Sequence, residues 1–392
     1  MNNDKFVKVG IIGVGTIGSA HAASIYSGAI DGMRLCALCD TSADRRKALC
    51  ELYPDVPIYA TDDEFLDNAE IDAVIIATPH YDHPPLSIRS FEKGLHVLTE
   101  KPAGVYCSAV RKMSEAAKKS GKVFGVMFNQ RTNKLFSEAK RIVKSGELGE
   151  LKRTVWIITN WYRKQCYYDS GNWRATWSGE GGGVLMNQAP HNLDLWQWIC
   201  GMPISVRAEC KTAHFHNIEV EDDATIFAEY ENGATATFIT STGDFPGTNR
   251  LEITGTKGKL VLENKKLTHW SFAMDEREYC LTDSDVKNEV TVSVTEDEEY
   301  NGHHNILKNF ARAILYGDEL VAKGEDAINE LMLCNAAYLS AWTDRKVTLP
   351  FSDTEYESLL KEKIASSQKK SHATQNKETP DGDYLGRWNT NW

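Results

Sequence analysis

Two side chains stand in settings suited to proton and charge transfer. Lys101 follows the apolar run "HVLT" and Glu100, and is fixed by Pro102; His191 follows Gly181-Gly182-Gly183 and lies between Asn187 and Asp194. An ammonium held at the end of a buried strand can donate to a hydroxyl and stabilise negative charge forming on its oxygen. A neutral imidazole can take that hydroxyl's proton. The stretch "GGGVLMNQAPHNLDLW" reads as a glycine run and then a helix capped by Asn187, with Pro190 in its first turn, Leu193, Trp196 and Cys200 on one apolar face, and Gly201 and Pro203 at its end. His191 then falls near the positive end of the helix dipole, which, with a neighbouring Lys101, favours the uncharged, proton-accepting ring.

The elements that would position Lys101 begin with "KVGIIGVGTIGSAHAASI". A short apolar strand runs into Gly13, Gly15 and Gly18 and then into helical periodicity, which is GxGxxG between strand and helix. Gly13 suits a tight turn, Gly15 lets the backbone approach a pyrophosphate, and Gly18 packs helix against strand. A second strand, "MRLCALCD", ends in Asp40, roughly 20 residues past the last glycine, where a carboxylate can accept from ribose hydroxyls. A 2′-phosphate would meet like charge there, so NAD is expected in preference to NADP, with Arg45 able to soften the repulsion.

"DAVIIATP" with "HPPLSIRSFEKG", "HVLTEKP" with "CSAVRKMSEAAKKSG", and "KVFGVMFNQ" continue the alternation, which implies a doubly wound parallel sheet. Ligands of such sheets sit beyond the carboxyl ends of the strands. The expected cofactor contacts are therefore Gly13, Gly15, Thr16, Ile17, Gly18, Asp40, Arg45, Thr78, Pro79, His83, Glu100, Lys101 and Asn129. After "NKLFSEAKRIVKSGELGE" the pattern changes to long alternating strands with turns at Asn232-Gly233 and Lys257-Gly258, an open and mostly antiparallel sheet with a broad face available to another subunit. The fold class is α/β: a Rossmann domain over residues 1–128, an α/β substrate and oligomerisation domain over 129–350, and an extension over 351–392.

A chain of 392 residues with 42% hydrophobic content suits two cores. Its formal charge of −11 argues against nucleic acid as a partner. No apolar stretch is long enough to cross a membrane, and nine scattered cysteines fit reduced thiols in a cytoplasm. Cys36 and Cys39 form a lone CxxC on a strand, facing opposite ways, and read as packing residues. No metal is expected: His80 and His83 have no carboxylate or thiol arranged beside them, and His214 and His216 read as one face of an exposed strand. His303 and His304 open a helix and receive no role.

Residues 160–180, "NWYRKQCYYDSGNWRATWSGE", interleave aromatic rings with Arg163, Lys164 and Arg174. Flat faces and forked donors suit a polyhydroxylated ring. The expected substrate contacts are Lys101, Tyr168, Trp173, Arg174, Asn187 and His191.

Through "GIIGVGTIG", "CD", "ATPHYDH", "EKPAG", "GGGVLMNQAPHNLD", "ENGA" and "GTKGKL", over roughly residues 6–350, the chain resembles the glucose-fructose oxidoreductase and inositol dehydrogenase family, Gfo/Idh/MocA. The resemblance implies a Rossmann domain, NAD(P), redox at a secondary alcohol of a sugar or cyclitol, and dimers or tetramers joined through the open sheet. It implies Lys101 as the catalytic lysine and His191 as the acid/base histidine. Asn187 stands where the family usually has aspartate and Ala189 where it has glycine, so the usual lysine-aspartate-histidine network is altered here; Asp194 remains.

The expectation is an NAD-dependent dehydrogenase of a ring hydroxyl. The alternatives are a glycosidase of the same fold that oxidises the ring transiently, and a ligand-sensing protein that lost its chemistry. Beyond Pro350 come an amphipathic segment, "TEYESLLKEKIAS", and polar low complexity ending in "DYLGRWNTNW", whose aromatic tip is expected to dock on protein.

Overall fold

In the computed structural model of the chain, residues 5–297 and 301–367 are described. They form two compact units, residues 5–132 with 301–331, and residues 133–297 with 332–367.

The first unit is built on β1 (Val7–Ile12), β2 (Met33–Cys39), β3 (Ile58–Tyr59), β4 (Ala73–Ile76), β5 (His96–Thr99) and β6 (Phe124–Val126), all parallel in the order β3-β2-β1-β4-β5-β6. The central strands are apolar because both faces are covered: Val9, Ile11, Val74 and Ile75 are fully buried. The crossings are made by α1 (Thr16–Tyr26), α2 (Ala43–Leu52), α3 (Asp62–Asn68), α4 (His83–Glu92) and α5 (Cys107–Ser120). The strand order reverses between β1 and β4, where the glycine turn, Thr78-Pro79 and Glu100-Lys101 leave the sheet.

The second unit carries α6 (Lys134–Ser145), β7 (Leu151–Ile158), α7 (Gln165–Asp169), α8 (Val184–Asn187), α9 (Pro190–Cys200), β8 (Ser205–Thr212), β9 (Glu221–Glu229), β10 (Thr235–Ser241), β11 (Asn249–Gly255), β12 (Gly258–Glu263), β13 (Lys266–Phe272), α10 (Glu276–Tyr279), β14 (Val290–Glu296) and β15 (Val347–Thr348). Its sheet runs β14-β13-β12-β11-β7-β10-β9-β8-β15, antiparallel except where β7 meets β10. Along β9, Ala224, Ile226 and Ala228 point inward while Phe227 is exposed, the period of a sheet with one face covered. Helix α9 lies on the inner face, its Trp196 stacked on Phe238 of β10 with ring centroids 5.7 Å apart.

Gly233, at φ +82°, makes the expected β9–β10 turn. The β11–β12 turn falls one residue earlier than expected, on Thr256 and Lys257, because Gly258 already pairs with Ser271 as the first residue of β12. The β12–β13 turn, not anticipated, is Asn264-Lys265 with φ of 53° and 60°, the doubly left-handed pair that matches strand twist.

His214 and His216 lie on the turn after β8 and not on a strand face. Asp222 folds that turn around itself by accepting from the backbone N–H groups of His214, Phe215 and His216.

The unit boundary falls at Thr132, and the chain returns to the first unit at Asn301, a departure from the expected division at residue 128 with everything to 350 in the second domain. The returning helix α11 (Gly302–Tyr316) buries Leu307 and Phe310, and the loop after it bonds the sheet edge through Val126 N–H to the Ala322 carbonyl. The helix α12 (Ala327–Thr343) then carries the chain back, and α13 (Asp353–Ser366) is the amphipathic segment, with Tyr356 and Leu360 buried. The aromatic tip lies outside the described residues. Among the described residues no helix is long and apolar enough to cross a membrane.

Candidate active site

In the first unit the glycine turn is held by contact as well as conformation. A Cβ on Gly13, at φ +86°, would come 2.8 Å from the Ala77 carbonyl carbon, and one on Gly18 would lie 2.0 Å from the Gly13 oxygen. At Gly15 the space is open, and Gly15 N-caps α1 with no side-chain acceptor, so Thr16, Ile17 and Gly18 open the helix without a cap. That is the arrangement an anionic pyrophosphate requires. At the end of β2, Asp40 accepts from Val14 N–H at 3.0 Å and from Ser42 N–H at 2.9 Å. Each carboxylate oxygen thus has one backbone donor and capacity for another. Arg45 donates to the Val14 carbonyl at 3.0 Å, with its Nε 4.0 Å from Asp40. Thr78 Oγ1 and Asn129 Oδ1 are buried and hydrogen-bond to no described residue. Capacity at Asp40, open space at Gly15 and these two acceptors fit a dinucleotide.

His83 and Glu100 are used differently from the direct cofactor contacts expected of them. The His83 ring is buried, with Nδ1 2.7 Å from the Pro102 carbonyl and Nε2 2.8 Å from the Thr78 carbonyl, so neither nitrogen faces a ligand. Burial lowers its pKa. The ring ties the loop after β4 to the loop after β5. Glu100 is buried against His21 of α1, 2.8 Å away, and its other oxygen accepts from the Lys101 N–H at 3.2 Å. Burial works to raise its pKa, and the His21 bond with nearby positive charge outweighs that, leaving the carboxyl below its usual range. His303 of α11 lies 5.7 Å from His21, ring to ring, and 3.4 Å from Asn129 Nδ2; burial pushes its pKa down to about 4. Neither His21 nor His303 stood out in the sequence, since only folding brings α1, β5 and α11 together. From Val97 through Val105, Lys101 alone is not buried.

The second unit shows the same pattern. From Glu180 through Gln197 every residue is buried except His191. Helix α9 begins at Pro190 with Ala189 as its N-cap and no side-chain cap, so Asn187 is not the expected cap. It ends the separate one-turn helix α8, and its Nδ2 donates to Glu180 Oε1 and to the Tyr167 hydroxyl. Glu180 Oε2 accepts from the Ala175 N–H at 2.5 Å. Asp194 is buried and accepts from Gln197 at 3.0 Å.

The glycine run wraps a buried carboxylate that the sequence did not single out. Glu221 of β9 accepts from Gly183 N–H, from Leu185 N–H at 2.9 Å and from the Tyr338 hydroxyl at 2.7 Å. A Cβ on Gly183 would lie 1.8 Å from the Glu221 carbonyl oxygen, and one on Gly182 would lie 2.1 Å from the Tyr338 hydroxyl. Close approach and not mobility is why glycine precedes His191.

Tyr168, expected at the substrate, is instead a core residue, 2% exposed with its hydroxyl 2.7 Å from Thr242 Oγ1. Its neighbour Tyr167 faces the polar cluster: the hydroxyl receives Arg174 at 2.9 Å and the amides of Asn187 and Gln188 at 3.2 Å. Trp173 and Arg174 are half-buried. Among the described residues no three His, Cys, Asp or Glu side chains form a metal-binding group.

A doubly wound parallel sheet with this glycine turn, joined in one chain to an open nine-stranded sheet, defines a two-unit NAD-binding oxidoreductase. The profile of the oxidoreductase family with an NAD-binding Rossmann fold matches residues 7–128, and that of the GFO/IDH/MocA C-terminal domain matches residues 136–261; the chain belongs to the Gfo/Idh/MocA family of oxidoreductases. It is 25% identical to myo-inositol 2-dehydrogenase of Thermotoga maritima over 352 residues, 88% of this chain and 98% of that one. It is also 25% identical to D-glucoside 3-dehydrogenase of Escherichia coli, over 88% of this chain and 97% of that one. The solved WlbA dehydrogenase from Chromobacterium violaceum, in complex with NADH and UDP-GlcNAcA, superposes with a TM-score of 0.77 at 28% identity, covering 90% of this chain and 98% of that one.

Proposed function

We propose that the protein is an NAD-dependent dehydrogenase of a secondary hydroxyl on a sugar, glycoside or cyclitol ring, with Lys101 and His191 as its reacting side chains. The observation that carries this reading is selective exposure: each unit buries a continuous segment and leaves one reactive side chain accessible, Lys101 in one and His191 in the other. Bound NAD supplies the acceptor for the hydride leaving the carbinol carbon. His191 takes the hydroxyl proton from a position in the first turn of α9. The Lys101 ammonium is suited to stabilising negative charge that develops on a substrate oxygen. Glu100 holds the Lys101 backbone through the N–H, and His83 holds Pro102 beside it. Asp40 receives the ribose diol, and its charge opposes a 2′-phosphate. The names of the myo-inositol and D-glucoside dehydrogenase relatives support the substrate class.

The test is NADH formation measured over inositols, aldoses and aryl glucosides, with His191→Ala alongside. Wild-type enzyme should accumulate NADH on at least one of them, and His191→Ala should lower the rate by ~10²–10⁴ with NAD affinity little changed. Release of aglycone without NADH, or full turnover by His191→Ala, contradicts the reading.

We also propose that copies associate through the second sheet, whose edge strand β14 exposes Val290, Val292 and Val294 on one face. Sedimentation of the wild type against a variant with those three valines changed to threonine tests this; identical sedimentation refutes it.

A further inference from the structure

We propose that the substrate carries a carboxylate, received by Arg174. This deepens the dehydrogenase reading and rests on it. The Arg174 guanidinium is half-buried between two rings, its carbon 4.7 Å from the Tyr167 centroid and 4.6 Å from that of Trp173. One nitrogen donates to the Tyr167 hydroxyl at 2.9 Å. No carboxylate among the described residues pairs with it, although the chain holds 55 acidic residues against 44 basic ones. The two acids nearest in sequence are already engaged: Asp169 accepts from Gln165 at 3.0 Å, and Glu180 accepts from Ala175 N–H and Asn187. A partly desolvated cation without a counter-ion is costly, and contact with two ring faces uses none of its remaining donors.

The position is built. Ala175, buried and at φ +52°, is pinned by Glu180 Oε2, and the backbone N–H groups of Glu180 and Gly181 return to the Thr176 carbonyl, closing a tight loop immediately after Arg174. The position is also tied to His191, since the Tyr167 hydroxyl that takes Arg174 takes the side chains of Asn187 and Gln188 too, in the turn that leads into α9. A planar fork with donors to spare matches a carboxylate in bidentate geometry. The class implied is a sugar acid, with the reacting hydroxyl and the carboxylate on one small ring.

The experiment compares D-glucuronate and D-galacturonate with D-glucose, D-galactose and D-glucose 6-phosphate, for wild type, Arg174→Met and Arg174→Lys, by NADH formation and by calorimetric binding to NADH-saturated protein. The uronates should exceed their parent sugars in kcat/KM by on the order of 10–100-fold. Arg174→Met should erase that ratio through KM, and Arg174→Lys, keeping charge without the fork, should fall between. Preference for the neutral sugars or the phosphate ester, or an equal loss on uronate and parent sugar, overturns the proposal. Uronate binding that vanishes in Arg174→Met without any turnover would uphold Arg174 while refuting the dehydrogenase reading; neutral-sugar turnover indifferent to Arg174 would do the reverse. If Arg174→Met does not melt cooperatively, the Lys variant decides alone.

Discussion

The amide of Asn187 donates to the buried carboxylate of Glu180, seven residues earlier in the chain. A carboxylate is thus present in the cluster although residue 187 is an amide. Aspartate at 187 should therefore be harmful here: Asn187→Asp sets two carboxylates against each other, and one must hold a proton in the folded state. The expected loss is about 1–3 kcal/mol at pH 8, less at pH 5, by urea denaturation. Pairing it with Glu180→Gln should recover most of that loss; if the double variant is no better, the two side chains are not coupled.

Cofactor choice should turn on Asp40. The oxygens of Asp40 are oriented by Val14 and Ser42 backbone donors, and on the proposed reading Asp40→Ala takes away the ribose acceptor together with the charge set against a 2′-phosphate. We expect the KM for NAD to rise roughly 10-fold or more, with NADP use improving relative to NAD, a shift consistent with losing one charged hydrogen-bond partner. Equal losses for both cofactors in steady-state kinetics would place the ribose elsewhere.

The His21–Glu100 pair predicts a stability effect with a defined pH window. The Glu100 pKa is depressed in the folded protein, so its contribution is present above the ordinary carboxyl pKa and lost as pH falls through the folded value. His21→Leu leaves a buried carboxylate without its partner and should cost about 3–5 kcal/mol at pH 7. His21→Gln, which keeps a donor, should cost clearly less. Equal melting temperatures for the two variants would mean that packing, and not the bond, is what matters at His21.

Glu221 has the opposite sign. Burial raises its pKa to about 7, with the Leu185, Tyr338 and Gly183 donors pulling back. Between its unfolded pKa and that value the folded protein keeps a proton that the unfolded chain has released, so stability declines as pH rises through this window, by up to about 3 kcal/mol from this group. Comparing denaturation from pH 5 to 8 in wild type and Glu221→Gln isolates it: the variant should lack that slope. A parallel decline in both would assign the slope to other groups.

Much of this was legible because some motifs combine geometry with chemistry. The Gly13-Gly15-Gly18 turn and Asp40 are local to one strand-helix-strand unit, and their spacing alone places them. The position of Lys101, just past the end of its strand and before Pro102, was legible too. The rest depended on contacts no spacing reveals. Asn187 has the right type for a cap, yet Pro190 starts the helix later and Glu180 claims the amide. Tyr167 and Tyr168 are adjacent on a five-residue helix, too short for periodicity to say which ring points inward. Glu221 is the first of three consecutive acids that open β9, and only contacts distant in sequence, with the glycine run and Tyr338, explain its burial.

The chain leaves its nucleotide-binding half at Thr132 and resumes it at Asn301. During synthesis the amino-terminal portion must therefore wait for the last piece of its own core while everything between emerges from the ribosome, a delay of roughly 10–30 s at ordinary elongation rates. Until then the faces destined for Leu307 and Phe310 stay wet, so a chain released after residue 132 should be caught by chaperones or aggregate, and the cofactor half of this enzyme is not a detachable module.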